Sequence, residues 1–189
     1  VFGPMERNVA IQRTGLKGTG NYLWVGRLDK NKDPVTLVKA FIRFAATNPD
    51  VHLYMVFQGD ELITQVKELL SESCSEPDQI ILVGRVEHRE LLYWFNSADF
   101  VISTSHYEGS GIAVCEGMSC GCIPILTNIP TFRMMTGNGN CGLNFTAGAV
   151  DDLLQALLKS TEMEVSAERK KVLEQHRQHL SAEAISEKM

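Results

Sequence analysis

Residues 99 to 126 constrain the fold more than any other part of the chain. The apolar run Asp99-Phe-Val-Ile-Ser103 closes in the small polar pair Thr104 and Ser105. A loop carrying Gly109 and Gly111 follows, then a helix-forming run from Ile112, then the short apolar run Gly121-Cys-Ile-Pro-Ile-Leu126. Strand, glycine loop, helix, strand is the arrangement at which open α/β sheets take ligands, at the carboxyl ends of their strands. Gly109 and Gly111 leave a backbone with little bulk, able to adopt positive φ and to approach a ligand closely. The first amides of the helix, at Ile112 and Ala113, lack internal partners and sit at the positive end of its dipole, so they can receive a phosphate. Glu116 lies one turn further on, on the same helix face. With a phosphate at Ile112, its carboxylate is placed to accept hydrogen bonds from the two hydroxyls of an attached ribose. Glu108 and Glu116 alone would mean little, since two glutamates at this separation arise often by chance. The strands on either side give them weight.

The rest of the chain repeats the alternation. Asn21 to Val25 reads as a strand ending in Gly26 and Arg27. Asp33 and Pro34 then read as N-cap and first turn of a helix, with Leu37, Val38, Phe41, Ile42 and Ala45 at helical spacing. His52 to Phe57 is a second strand, followed by an amphipathic helix through Leu62, Ile63, Val66, Leu69 and Leu70. Ile80 to Val83 is a third strand and Glu87 to Ser97 a helix with Leu91, Leu92 and Phe95 inward. A short helix containing Pro130 is expected within 127–135, a short strand at 142–145, and a helix from Asp151 whose acidic start suits its dipole. Asp151 and Asp152 open that helix and are not read as a metal-binding pair. Before the first strand, residues 1–20 read as a connector with a Lys17-Gly-Thr-Gly20 turn and a short strand at Asn8 to Gln12. After 160, Val165, Val172, Leu180 and Ile185 mark a charged helical tail that packs back on a surface. The expected organisation is therefore a connector (1–20), a Rossmann-like domain (21–160) and a helical tail (161–189). The fold class is α/β: a three-layer sandwich, mostly parallel, with helices on both faces of the sheet.

Composition narrows the function. A net charge of −5 and no Lys/Arg run argue against a general nucleic-acid surface, and no apolar run is long enough to span a bilayer. Five cysteines, an odd and scattered number, form no disulfide framework, and Cys120-Gly-Cys122 is too close for a zinc half-site, so they read as small buried residues in a reducing, cytoplasmic setting. The first residues, Val1-Phe-Gly-Pro-Met5, carry no basic region before a long apolar core, so no signal peptide is expected in this stretch. A start at Val1, close to the first strand, reads as a domain cut from a longer protein.

Glu108, the seven residues after it, Glu116 and then Gly-Met-Ser-Cys-Gly-Cys-Ile-Pro124 resemble the donor-site signature of retaining glycosyltransferases of family 4. Those proteins have the GT-B fold of two Rossmann-like domains, and the likeness is to the C-terminal, nucleotide-sugar-binding one, over roughly residues 21–160. Two positions depart from the pattern: an aromatic is common where Ser110 stands, and alanine where Gly117 stands. The resemblance implies that Gly26-Arg27-Leu28 and a following lysine bind the donor diphosphate. A guanidinium fork and an ammonium there would stabilise the leaving phosphate. Lys32 is favoured for this over Lys30. The resemblance also implies sugar hydroxyls on Glu108, and backbone along the nucleobase at Arg85 and Val86. The expected catalytic set is thus Glu108, Arg27 and Lys32. The expected donor-binding set is Gly26, Arg85, Val86, Gly109, Gly111, Ile112, Ala113 and Glu116. No metal and no cofactor is expected beyond the UDP- or GDP-linked sugar. The expected partner is an acceptor-binding N-terminal domain of the same protein, and peripheral docking of the full-length enzyme on the inner face of the membrane stays open. A nucleotide-sugar epimerase of the same fold, or a non-catalytic nucleotide-binding regulatory module, is the alternative.

Overall fold

The computed structural model describes residues 2–17, 20–73 and 79–186, without the side chains of 183 and 185. Gly18 and Thr19 of the expected turn, Cys74, and the side chain of Ile185 lie outside the described residues. Six strands form one sheet in the order β3-β2-β1-β4-β5-β6. They are β1 (Asn21–Arg27), β2 (His52–Gln58), β3 (Ile80–Gly84), β4 (Phe100–Ser103), β5 (Ile123–Thr127) and β6 (Leu143–Phe145). Every pairing is parallel. The helices between them are α2 (Pro34–Ala45), α3 (Ile63–Glu72), α4 (Leu91–Ser97), α5 (Ile112–Ser119) and α6 (Pro130–Met135), with α1 (Arg7–Thr14) before them. After β6 come α7 (Val150–Ser160), α8 (Val165–His179) and α9 (Ala182–Ser186). This is the α/β Rossmann-like sandwich expected from the alternation.

Side-chain alternation along the strands builds two apolar layers. Tyr22, Trp24, Leu53, Met55, Phe100 and Ile102 enter the larger core with Leu37, Phe41 and Phe44 of α2 and Leu153 and Leu157 of α7. Leu23, Tyr54, Val56 and Val101, one position out of step, enter the second core with Leu91 and Phe95 of α4. Asp33 starts α2 as expected: its carboxylate accepts from Thr36 N at 3.1 Å and Thr36 Oγ1 at 2.7 Å, and Pro34 follows.

Two local expectations are corrected. Residues 8–12 are helical, inside α1, and not a strand. Val9 and Ile11 suggested extended backbone, but Ala10 is buried and Gly15 terminates the helix at φ 70° with its N–H on Ile11 O. Tertiary contacts with α4 and the turn before it decide the matter: Arg13 makes two bonds to Glu90, and Thr14 Oγ1 lies 2.9 Å from Ser97 Oγ. The expected helix from Glu87 begins only at Leu91, after a tight 3-10 turn at His88–Glu90. The tail does pack back: Val172 of α8 is fully buried in the larger core, and a Cβ on Gly121 would lie 3.7 Å from Leu173. No helix among the described residues is long and apolar enough to cross a membrane.

The strand order has a functional consequence. Chain order runs outward from β1 to β3 in one direction and from β4 to β6 in the other, so the loops after β1 and β4 diverge to opposite faces. The crevice between them is the topological switch point, where doubly wound sheets hold ligands.

Candidate functional site

The loops after β1 and β4 are laced together at that crevice. Thr104 Oγ1 donates to Lys32 O at 2.6 Å, and His106 N to Asn31 O at 2.9 Å. Asn31 and Tyr107 exchange two bonds: Nδ2 donates to Tyr107 O at 3.0 Å, and Oδ1 accepts from Tyr107 N at 3.1 Å. His106 Nε2 stands 3.0 Å from Asp33 Oδ2. Beneath them Trp24 Nε1 donates to Thr104 Oγ1 at 3.2 Å. A buried indole thus sets the floor of the site, and the polar loop residues fix its two walls.

Between those walls Lys32 Nζ is ion-paired with Glu108, which also accepts from Ser105 Oγ at 2.9 Å. Both side chains are largely buried, Lys32 at 22% exposed and Glu108 at 14%. Gly26 makes this possible, because a Cβ there would lie 3.1 Å from the Trp24 ring and 3.6 Å from the Lys32 stem. Gly111 adopts φ 59° as N-cap of α5, and a Cβ on it would lie 3.0 Å from Met135 Sδ and 3.1 Å from Phe132. No side chain caps α5, so its leading amides stay available to an anion. Gly109 does not share the positive φ and is exposed.

Two connected cavities lie over these groups. The smaller, about 190 Å³, is lined by Lys32, Glu108, Ser110, Gly111 and the start of α5. The larger, about 510 Å³, runs past Arg27 and Lys32 to Val86, His88 and Leu91. Val25, Lys32, Ile112 and Ala113 border both. The larger falls within the range of small-molecule sites.

The structure thus brings Gly26, Arg27, Lys32, Val86, Glu108, Gly111, Ile112 and Ala113 to one crevice. Arg27 lies at its edge, 71% exposed, held by Asp29 Oδ2 at 3.0 Å. Lys30 is exposed and Lys32 lines both cavities. Arg85 is exposed outside the lining, whereas Val86 borders it. Glu116 reaches the larger cavity through His88, whose Nε2 is 2.6 Å from Glu116 Oε1. Sequence reading passed over His88, Ser105, Thr104 and Asn31. His88, Thr104 and Asn31 carry no spacing signal, since the fold alone joins each to its partner, whereas Ser105 bonds Glu108 three residues on, a local contact.

Burial pushes the thiols of Cys115 and Cys120 up, and Cys122 further still. They are poor thiolate nucleophiles and behave as the small packing residues expected. Gly117 also has a packing reason: a Cβ there would sit 3.2 Å from the Phe95 ring and from Val101.

Residues 7–179 match the family model described as glycosyl transferases group 1. The chain belongs to that family. Among curated members, the D-inositol 3-phosphate glycosyltransferase of Pseudarthrobacter chlorophenolicus is 29% identical over 75% of this chain and 34% of its own length. The glycogen synthase of Mycobacterium tuberculosis is 25% identical over 90% of this chain and 44% of its own. The chain therefore spans between a third and a half of these relatives. In structure it is similar to the C-terminal domain of a group 1 glycosyl transferase (LpcC) from Francisella tularensis. The TM-score is 0.80 at 21% identity, covering 93% of this chain and 92% of that one. That likeness places this group 1 chain with GT-B glycosyltransferase domains in fold.

Proposed function

We propose that this chain binds a UDP- or GDP-linked sugar and forms the donor half of a retaining glycosyltransferase. Its acceptor half is an N-terminal domain of the same protein. The observation that carries the reading is the meeting of Lys32, Glu108 and the uncapped start of α5 in one crevice at the switch point. In this reading the diphosphate lies between Arg27, Lys32 and the Ile112 and Ala113 amides. Glu108 takes hydroxyls of the transferred sugar from the smaller cavity, and Glu116 takes the ribose. The Lys32–Glu108 pair gives the arrangement a further property. With Glu108 already neutralising part of its charge, Lys32 is held at the crevice floor before the donor arrives, so little side-chain entropy remains to be lost on binding.

As the bond from the anomeric carbon to the phosphate oxygen breaks, negative charge grows on the leaving diphosphate. Arg27, Lys32 and the helix start stabilise that charge from fixed positions. The acceptor oxygen bonds the anomeric carbon from the face the phosphate leaves, which gives retention, and its proton passes to the leaving phosphate. The field of these groups makes a divalent metal unnecessary. The setting is cytoplasmic. Without the other half, water is not excluded and the acceptor is not positioned, effects that lower a barrier by several kcal/mol.

Calorimetry of the 189-residue chain with UDP and GDP, with and without chelator, tests the binding part. Equal affinity in both conditions is expected, and binding that vanishes with chelator overturns metal independence. Nucleotide release from donor and acceptor mixtures tests the division of labour. Negligible release is expected, and turnover comparable to an intact two-domain enzyme would mean that the catalytic apparatus lies within this chain.

A further inference from the structure

The contact between His88 and Glu116 ties two loops that the reading above treats separately. His88 stands in the tight turn after β3, and Glu116 in the second turn of α5. A carboxylate has no proton to give, so the ring donates, and its Nε2 carries the hydrogen. Among the described residues no other donor reaches the Glu116 carboxylate. One oxygen is thereby fixed and the other is left with its lone pairs free. The imidazole itself borders the larger cavity beside Val86 and Leu91. Its orientation is set from behind by Phe2, whose ring centre is 5.1 Å away and which in turn meets Phe95 edge-on at 6.0 Å.

The pair is a poor candidate for a stabilising one. His88 is 68% exposed, and an ion pair or hydrogen bond at such a site contributes little to folding. Its consequence is orientation. Glu116 has three rotatable bonds, and a free glutamate would lose that freedom on meeting a ligand. Held at Oε1, it presents Oε2 in one direction.

We propose that His88 is a positioning residue for nucleoside recognition, locking the Glu116 carboxylate so that the site prefers a ribose over its deoxy forms. This rests on the assignment of Glu116 to the ribose. Affinities of UDP and GDP, and of their 2′-deoxy and 3′-deoxy forms, are measured by calorimetry for the unaltered chain, Glu116→Gln, His88→Ala, His88→Phe and His88→Gln. Phenylalanine keeps a ring against Phe2 without the donor, and glutamine keeps a donor without the ring.

His88→Ala and His88→Phe are each expected to reduce the ribose preference roughly threefold to tenfold, the scale of one ordinary hydrogen bond. His88→Gln should recover most of it, with thermal midpoints unchanged throughout. If both His88→Ala and His88→Phe keep the full preference while Glu116→Gln loses it, the positioning role is wrong and the ribose assignment stands. Loss in His88→Ala but not in His88→Phe also overturns it, since packing would then be the cause. An unchanged preference in Glu116→Gln, or no binding of either nucleotide by the unaltered chain, removes the ribose assignment itself.

Discussion

Two clusters of charge sit at opposite ends of the sheet. Asp99 opens β4 at the amino-terminal edge. It receives two bonds from Arg7 at 2.7 and 3.0 Å, one from Arg169 at 3.0 Å and one from Asn21 N at 3.0 Å. Its own backbone joins β1 and β5 through Asn21 O and Ile123 N. Every lone pair is directed at the fold, so this carboxylate binds α1, β1 and α8 into one body. The cluster at the carboxyl-terminal edge has the same ingredients in a different state. Lys32 and Glu108 face a cavity, Arg27 is mostly exposed, and the amides that begin α5 have no side-chain cap. Charges consumed by the fold make architecture, and charges with unused valence at a concave surface make a site.

The largest expected effect follows from that division. Asp99→Ala brings two guanidinium groups together without the carboxylate between them, leaving Arg169 only the Ala98 carbonyl at 2.7 Å, and removing the buried partner of an ion pair costs up to about 3–5 kcal/mol. Denaturant unfolding should show that loss, while nucleotide affinity at temperatures where the variant remains folded should be unchanged. A variant that unfolds normally but fails to bind would erase the distinction between the two ends.

Tyr22, at the same end as Asp99, gives a second expectation through pH. It is 1% exposed, stacked on Phe100 at 4.8 Å, with its hydroxyl 2.7 Å from Ser160 Oγ. Burial pushes its pKa up to about 12. The folded state therefore holds the phenol proton more tightly than the unfolded chain. The associated stability is complete below the unfolded value near 10, and falls away as pH rises from about 10 to about 12. The change amounts to about 2–3 kcal/mol across that window. Tyr54 shifts in the same direction through burial and adds to the slope. Tyr22→Phe should flatten most of the alkaline decline in unfolding midpoint, and an unaltered decline would assign it elsewhere.

The amino-terminal end was the less legible of the two in sequence. Alternating apolar runs and Gly/Pro punctuation located the six strands to within a residue or two, because the central strands are buried on both faces and the half-buried edge strands β3 and β6 are still bounded by turn residues. The glycine loop and its helix were legible for a different reason, since Gly111 takes a positive φ where a Cβ would also crowd Met135 and Phe132. What escaped was set by contacts between distant segments. Residues 8–12 carry β-branched side chains, yet the bonds to Glu90 and Ser97 make them helical. The His88–Glu116 and Lys32–Glu108 pairs could not be read from spacing, because only the crossing of the chain at the switch point brings them together. In sequence Gly117 stands out only as a departure from the family pattern, where alanine is common. In the fold it is the space into which Phe95 packs, a reason invisible without the neighbouring helix.

Arg27 allows the smallest and sharpest test, because it is an ion-paired arginine, like Arg7, on the other end of the sheet. Its partner Asp29 is held independently, accepting from Lys32 N at 2.9 Å. Losing the guanidinium therefore disorders nothing. With its side chain 71% exposed, Arg27→Ala should leave folding stability within about 0.5 kcal/mol of the unaltered chain. A diphosphate offers Arg27 a bidentate partner that a nucleoside lacks. Nucleoside diphosphate affinity should fall by roughly threefold to tenfold, less at high salt, and that of the corresponding nucleoside not at all. Arg27→Lys should recover only part, since an ammonium keeps the charge and loses the planar fork. Equal weakening of diphosphate and nucleoside would place Arg27 away from the phosphates, and a loss of stability approaching that of Asp99→Ala would show that the carboxyl-terminal cluster, too, is architecture.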